Sequence, residues 1–285
     1  MRRKRRKVAL ALGGGGARGI AHIGAIEELE RRGFEITAVA GTSMGALVGG
    51  MYAAGKLEPF KRWLCALDRY KVFGLVDFAF SAEGLVKGDR VIRAMKELVP
   101  EVRIEELELP FAAVAADLLS GDEVVFERGG LYEAIRASIA IPSVFRPVHR
   151  DGMVLVDGGT VNLVPLNRVR RTKDDLLVAV NVSAPYRANP ALRRSESFNF
   201  YKLLVASSQI MQQRIAQTMN DLYRPEVLVQ IPADSYGIFE FYRAAEIVEA
   251  GRLAASAALD DYAAGRASRG VRAGCVESEP EPAEA

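Results

Sequence analysis

Apolar residues fall into two patterns along the first 55 positions. Residues 7–12 form a short unbroken run rich in Val and Leu that stops at glycine, as expected of a strand buried on both faces of a parallel sheet. Residues 17–32 then switch to helical spacing, with Ile20, Ile23, Ile26 and Leu29 on one face and Gly33 as the stop. A second buried run at 36–40 and a small-residue helix at 45–54 complete the opening of an α/β sandwich. Further along, 111–115 and 123–126 read as strands joined by a turn at Ser120-Gly121, and 132–138 as a short helix. Residues 144–149 and 153–156 read as a hairpin across Arg150-Asp151-Gly152, and 176–182 as another apolar strand. Helical spacing recurs at 88–99, 197–220 and 238–262. The fold predicted is α/β, a three-layer α/β/α sandwich with a mostly parallel central sheet.

No internal repeat or interdomain linker breaks this order. The expected organisation is a basic N-terminal arm at 1–7, a single domain at 8–266 and an acidic, disordered tail at 267–285, with residues 184–197 as an exposed connection. A chain of 285 residues, 49% hydrophobic, buries enough surface to fold without a metal or disulfide. Of its 38 basic and 36 acidic residues, six basic ones fill positions 2–7, and two basic and four acidic ones lie in the tail, which leaves 30 basic and 32 acidic residues in a nearly balanced body. A neutral body argues against a nucleic-acid-binding domain. The cysteines, Cys65 and Cys275, lack the spacing of a metal knuckle or disulfide framework and suit a reducing compartment, so a cytoplasmic location is expected.

Two segments resemble membrane signals. The basic start is followed by only five apolar residues before the glycines, too few for the core of a signal peptide. Residues 36–55 carry no charge over the length of a membrane span, but Gly41, Thr42, Ser43, Gly45 and Gly49 make them too polar to prefer lipid. No transmembrane helix is predicted.

The candidate chemistry sits at two glycine-rich turns. Gly41-Thr42-Ser43-Met44-Gly45 fits G-x-S-x-G between a predicted strand and a predicted helix, where a nucleophile on a sharp elbow needs neighbours without bulky side chains. The competing role for Ser43 is a helix cap. Gly13-Gly14-Gly15-Gly16-Ala17-Arg18-Gly19 also joins a strand to a helix, and its open amides suit a phosphate or a transient oxyanion. The loop matches G-x-G-x-x-G as well, but the acidic ribose ligand that pattern calls for is replaced by Gly41-Thr42-Ser43 at the end of the next strand, and no Gly-Lys-Ser/Thr follows for a Walker loop. For a base, Asp157 in Asp157-Gly158-Gly159 is the stronger candidate, with a turn aspartate as its alternative role. A triad of Ser43, Asp117 and His149 is also open, and His22 lies in the first helix.

These residues resemble the bacterial members of the patatin-like phospholipases. The resemblance rests on residues 14–19, on 41–45, on Ala137-Ser138-Ile139-Ala140-Ile141-Pro142-Ser143-Val144-Phe145 and on 157–159, in the family's order over residues 8–167. It implies a Ser–Asp dyad with Ser43 as nucleophile and Asp157 as base, and an oxyanion hole from the amides of Gly14, Gly15 and Gly16. Arg18 is expected to brace that loop. Ser143 departs from the family, where glycine is frequent. The implied activity is hydrolysis of carboxylic esters of phospholipids or other acyl lipids through an acyl-enzyme, without cofactor or metal. An acyltransferase or thioesterase with the same dyad, and a non-catalytic anion- or nucleotide-binding protein, are the alternatives.

Two features bear on partners. Phe60, Trp63, Tyr70, Phe73, Phe78 and Phe80 follow the nucleophile helix closely and form either the wall of an acyl-chain pocket or ordinary core. The arm from Arg2 to Lys7 offers peripheral contact with anionic lipid at the membrane's inner face, or serves only as a solubilising flank.

Overall fold

A computed structural model describes residues 6–75, 89–185 and 200–265. Eight strands form one sheet: β1 (Arg6–Leu12), β2 (Phe34–Thr42), β3 (Phe111–Asp117), β4 (Glu123–Phe126), β5 (Val148–Arg150), β6 (Met153–Asp157), β7 (Leu176–Ala184) and β8 (Val227–Pro232). Their order is β5-β6-β3-β2-β1-β7-β8, with β4 also paired to β3. β3-β2-β1-β7-β8 are parallel, and β4, β5 and β6 add an antiparallel end. The mostly parallel sandwich expected from the sequence is therefore present.

The helices are α1 (Ala21–Arg31), α2 (Met44–Ala53), α3 (Leu57–Cys65), α4 (Arg69–Leu75), α5 (Asp89–Leu98), α6 (Leu131–Ser138), α7 (Phe200–Tyr223) and α8 (Ala244–Ala263). Strand alternation divides the core into two unequal halves. Val8, Leu10 and Leu12 of β1 face a large cluster with α1, α2, α6 and α8, while Ala9 and Ala11 face a smaller one. Alanines on that second face admit the close approach of Leu163, Val164, Leu166 and Ala216 of α7.

Several boundaries differ from the sequence reading. The first helix opens as a 3-10 turn at Gly16–Ile20, so the glycine loop feeds a tighter coil before α1 begins. Residues 144–147 are not a strand, because the amides of Val144 and Phe145 turn back to the Ile141 carbonyl, and β5 starts only at Val148. The helix expected over 238–262 starts at Ala244. β8, α3 and α4 carried no expectation. The exposed connection lies almost wholly, and the tail wholly, outside the described residues.

Candidate active site

The site is built where three strands end. β2 runs parallel to β3 and its last paired residue, Thr42, stands opposite Val114. β6 runs antiparallel to β3, and its last residue, Asp157, stands opposite Ala115. Residues 113 and 114 pair with both β2 and β4, and 115 and 116 with both β6 and β4, so β2 and β6 must share the edge of β3 that β4 leaves free. They meet there head to head.

Ser43 follows β2 at φ 56°, ψ −124°, a left-handed conformation that a non-glycine residue adopts only under constraint. The elbow is crowded: a Cβ on Gly41 would strike the Gly45 carbonyl, and one on Gly45 would strike that of Leu12. Ser43 makes no side-chain cap to α2. Its hydroxyl instead donates to Oδ2 of Asp157 at 2.5 Å, with both residues buried. The other oxygen of Asp157 accepts the Gly159 amide at 2.7 Å. Burial raises the Asp157 carboxyl from 3.8 to about 6, against the two hydrogen bonds, which favour its ionised form. Gly158 is glycine because a Cβ there would collide with the Val114 carbonyl.

One contact was not foreseen. The Ser43 amide donates to Oγ of Ser138 at 2.8 Å, and that hydroxyl donates to the Val114 carbonyl at 2.5 Å. Ser138 ends α6 and is fully buried. It stands in the third motif, but its sequence position gave no sign of which backbone it would meet.

Arg18 is 4% exposed and ties the glycine loop to β7, donating to the Val182 carbonyl at 2.9 Å, to the Tyr236 carbonyl at 3.0 Å and to Oγ of Ser183 at 3.3 Å. Ser183 in turn donates to the Gly14 carbonyl at 2.9 Å. His22 is fully buried with Nε2 2.7 Å from the Gly13 carbonyl; desolvation lowers its pKa to about 4, so it is neutral and donates from Nε2. The amides of the expected donor trio differ in their engagement. The amide of Gly14 is engaged with the Leu163 carbonyl at 3.0 Å, whereas those of Gly15 and Gly16 make no hydrogen bond among the described residues.

The alternative triad is not assembled. Asp117 spends its carboxylate on the amides of Val154, Leu119 and Ser120, which hold it below the usual carboxylate range, and His149 is exposed on β5. Of the aromatic segment, Phe60 is fully buried and stacks on Trp63 at 6.0 Å, which is core packing, while Tyr70 is 89% exposed. The side chain of Phe73, and all of Phe78 and Phe80, lie outside the described residues. Ser143 takes φ 68°, which accounts physically for a glycine preference there. No cluster of three metal-ligating side chains and no helix long and apolar enough to cross a membrane occurs among the described residues.

An α/β sandwich with a buried serine on a strand-to-helix elbow, paired to an aspartate at the end of a neighbouring strand, defines a candidate acyl-transfer scaffold. Residues 10–169 match the patatin-like phospholipase model, and the chain belongs to that family. An uncharacterized NTE family protein of Mycobacterium tuberculosis is 46% identical over 185 residues, which cover 65% of this chain and 51% of that protein. Lysophospholipase NTE1 of Saccharomyces cerevisiae is 25% identical over 89% of this chain and 17% of its own length. The chain spans about half the length of the mycobacterial relatives it matches. VipD from Legionella pneumophila superimposes with a TM-score of 0.48 at 14% identity, covering 91% of this chain and 67% of VipD.

Proposed function

We propose that the chain is a serine lipid acyl hydrolase in which Ser43 is the nucleophile and Asp157 the base. The 2.5 Å hydrogen bond from Ser43 to a buried, otherwise nearly unsolvated carboxylate carries this reading. Asp157 takes the serine proton as Oγ attacks an ester carbonyl, and returns it to the leaving alcohol. Water, deprotonated by the same carboxylate, then cleaves the acyl-enzyme and releases the fatty acid. A carboxyl near 6 remains a weak base for a serine, so donors aimed at the developing oxyanion must supply much of the stabilisation. The amides of Gly15 and Gly16 are free for that task, and Ser43 stands at the N-terminus of α2, where the helix dipole favours negative charge. The name of the yeast relative makes a lysophospholipid the first substrate to try, and the exposed thiol of Cys65 suits a cytoplasmic setting.

A fluorophosphonate probe tests the assignment. Wild type should label, Ser43→Ala should not, and Asp157→Asn should label at least about a hundredfold more slowly. An unlabelled wild type would leave only anion binding by the glycine loop. Hydrolysis across lysophospholipids, diacyl phospholipids, glycerides and short esters, with an acyl acceptor added, separates hydrolase from transferase.

A further inference from the structure

α7 is the crossover between the parallel strands β7 and β8, so it begins at the end of the sheet where Ser43 lies and runs to the other. Its 24 residues reach about 36 Å, whereas the six residues of β8 reach about 20 Å. Its fully buried contact lies in the second half, where Ala216 is buried among the alanines of β1 and β2 and Met219 lies against the same cluster, while Val205, Ala206, Ser208 and Gln209 of the first half are half-buried. Nε2 of Gln212 comes within 3.8 Å of the Cβ position of Gly159, which marks the level of the dyad. The first three turns, from Phe200 to Met211, are about 18 Å of helix that precede the residue at that level.

One face of that stretch is apolar and uncovered. Phe200 is 84% exposed, Leu203 57%, Leu204 51%, Ile210 56% and Met211 61%. Leu118 and Leu119, at the end of β3, and Phe239, beside the Ile238 carbonyl that caps the glycine loop, are exposed at the same end of the sheet. Elsewhere among the described residues the exposed large apolar groups are scattered: Tyr70, Leu253, and Leu222 with Tyr223 at the far end of α7. Exposed apolar groups gathered at one end of a sheet, on the side of a candidate active site, suit a docking surface. Its charge selects the partner. From Phe200 to Asn220 the helix carries no carboxylate, only Lys202 and Arg214, and the 14 residues before it hold Arg187, Arg193 and Arg194 against Glu196. An apolar helix whose sequence carries positive charge and no carboxylate fits the surface of a bilayer of anionic lipids.

We infer that the first half of α7, with the Leu118–Leu119 turn, is the face by which the protein docks onto anionic phospholipid, setting the dyad's mouth against the bilayer. This rests on the acyl-lipid hydrolase reading and names the surface from which that site draws its substrate. It also sets aside the basic arm as the docking element: β1 enters the sheet at Arg6, at the end opposite Ser43, and contact there would point the site away from lipid.

The test is cosedimentation with phosphatidylglycerol and with phosphatidylcholine vesicles, in a Ser43→Ala background so that the lipid is not consumed. The expected result is binding to phosphatidylglycerol above phosphatidylcholine, reduced about tenfold in Leu204→Asp/Met211→Asp. Leu253→Asp on α8 and a chain lacking residues 2–5 should bind as the parent does. Thermal melting checks the fold, and Phe200→Ser, at the most exposed position of the face, serves if the double variant is unfolded. Equal binding by the folded α7 variant, no binding by the parent, or binding lost with residues 2–5 would each overturn the proposal. So would a dimer in light scattering that the double variant dissolves, since the face would then belong to a second copy. Labelling of the Ser43-containing chain by fluorophosphonate is scored separately: its absence with vesicle binding intact removes the hydrolase and leaves the docking face.

Discussion

Ser138 holds the proposed nucleophile by its backbone. Its hydroxyl accepts the Ser43 amide and donates to Val114, so the strained elbow is fixed to β3 through one buried oxygen. Ser138→Ala leaves a buried amide and a buried carbonyl unpaired, which costs about 1–3 kcal/mol. The effect on chemistry should exceed the effect on binding: kcat falls ten- to a hundredfold with KM little changed, because the elbow can relax out of its left-handed conformation. Ser138→Thr, which keeps the hydroxyl, should restore most of the rate. Steady-state kinetics on a soluble ester, with melting temperature measured alongside, distinguishes this from simple destabilisation, in which kcat per folded molecule would be unchanged.

At the level of elements, α1 and α8 are pressed together through glycine. A Cβ on Gly24 would strike the Val248 carbonyl, and one on Gly251 that of Ala21. Beside them the buried Glu28 receives Arg31 and Arg32 at 2.7 Å, and Arg32 reaches Asp260 at 2.6 Å. Gly251→Ala should therefore lower stability by about 2–3 kcal/mol, since two backbones must part. Gly33→Ala meets no neighbour and bears only its positive φ, so a loss near 1 kcal/mol is expected in denaturant titration. Elements of this kind were unevenly legible in the sequence. The continuous runs of β1 and β7, and the elbow between β2 and α2, could be read because burial on both faces and steric crowding leave a local record. β8 could not: it is a short edge strand that alternates in burial and ends in Pro232. Asp157 could be read as a candidate base from the two glycines after its strand, but its pairing with Ser43 rested on the family's motif order, because it depends on two strands meeting along a third. The engagement of the Gly14 amide with Leu163 had no local signature at all.

For the whole molecule, two buried groups tilt stability in opposite directions. Asp157 binds its proton more tightly folded, near 6, than unfolded, near 3.8. Its contribution is full below about 4 and is lost as pH rises through about 6, an effect of about 3 kcal/mol. His22 is displaced from 6.5 to about 4, so its contribution is full above 6.5 and is lost as pH falls toward 4. Between 4 and 6 the two slopes oppose each other and flatten the profile. Asp157→Asn should therefore be more stable than wild type at pH 8, converge with it near pH 4, and show stability rising between 4 and 6.5, all measurable by thermal melting across buffers. Activity of the wild type on a soluble ester should rise as pH passes through about 6, when the base ionises.

The pairing of β2 and β6 along one edge of β3 makes that third strand a ruler. No side chain of Val114 or Ala115 has a part in the proposed reaction, yet the single step between these neighbours sets how far apart Ser43 and Asp157 arrive. One residue inserted there would separate the two strand ends by about 3.3 Å and turn the following residues to the other face. A hydrogen bond of 2.5 Å does not survive such a change. The proposed catalysis thus depends on the length of a segment that contributes nothing to its chemistry, and a tally of functional side chains would miss a position with little tolerance for an insertion.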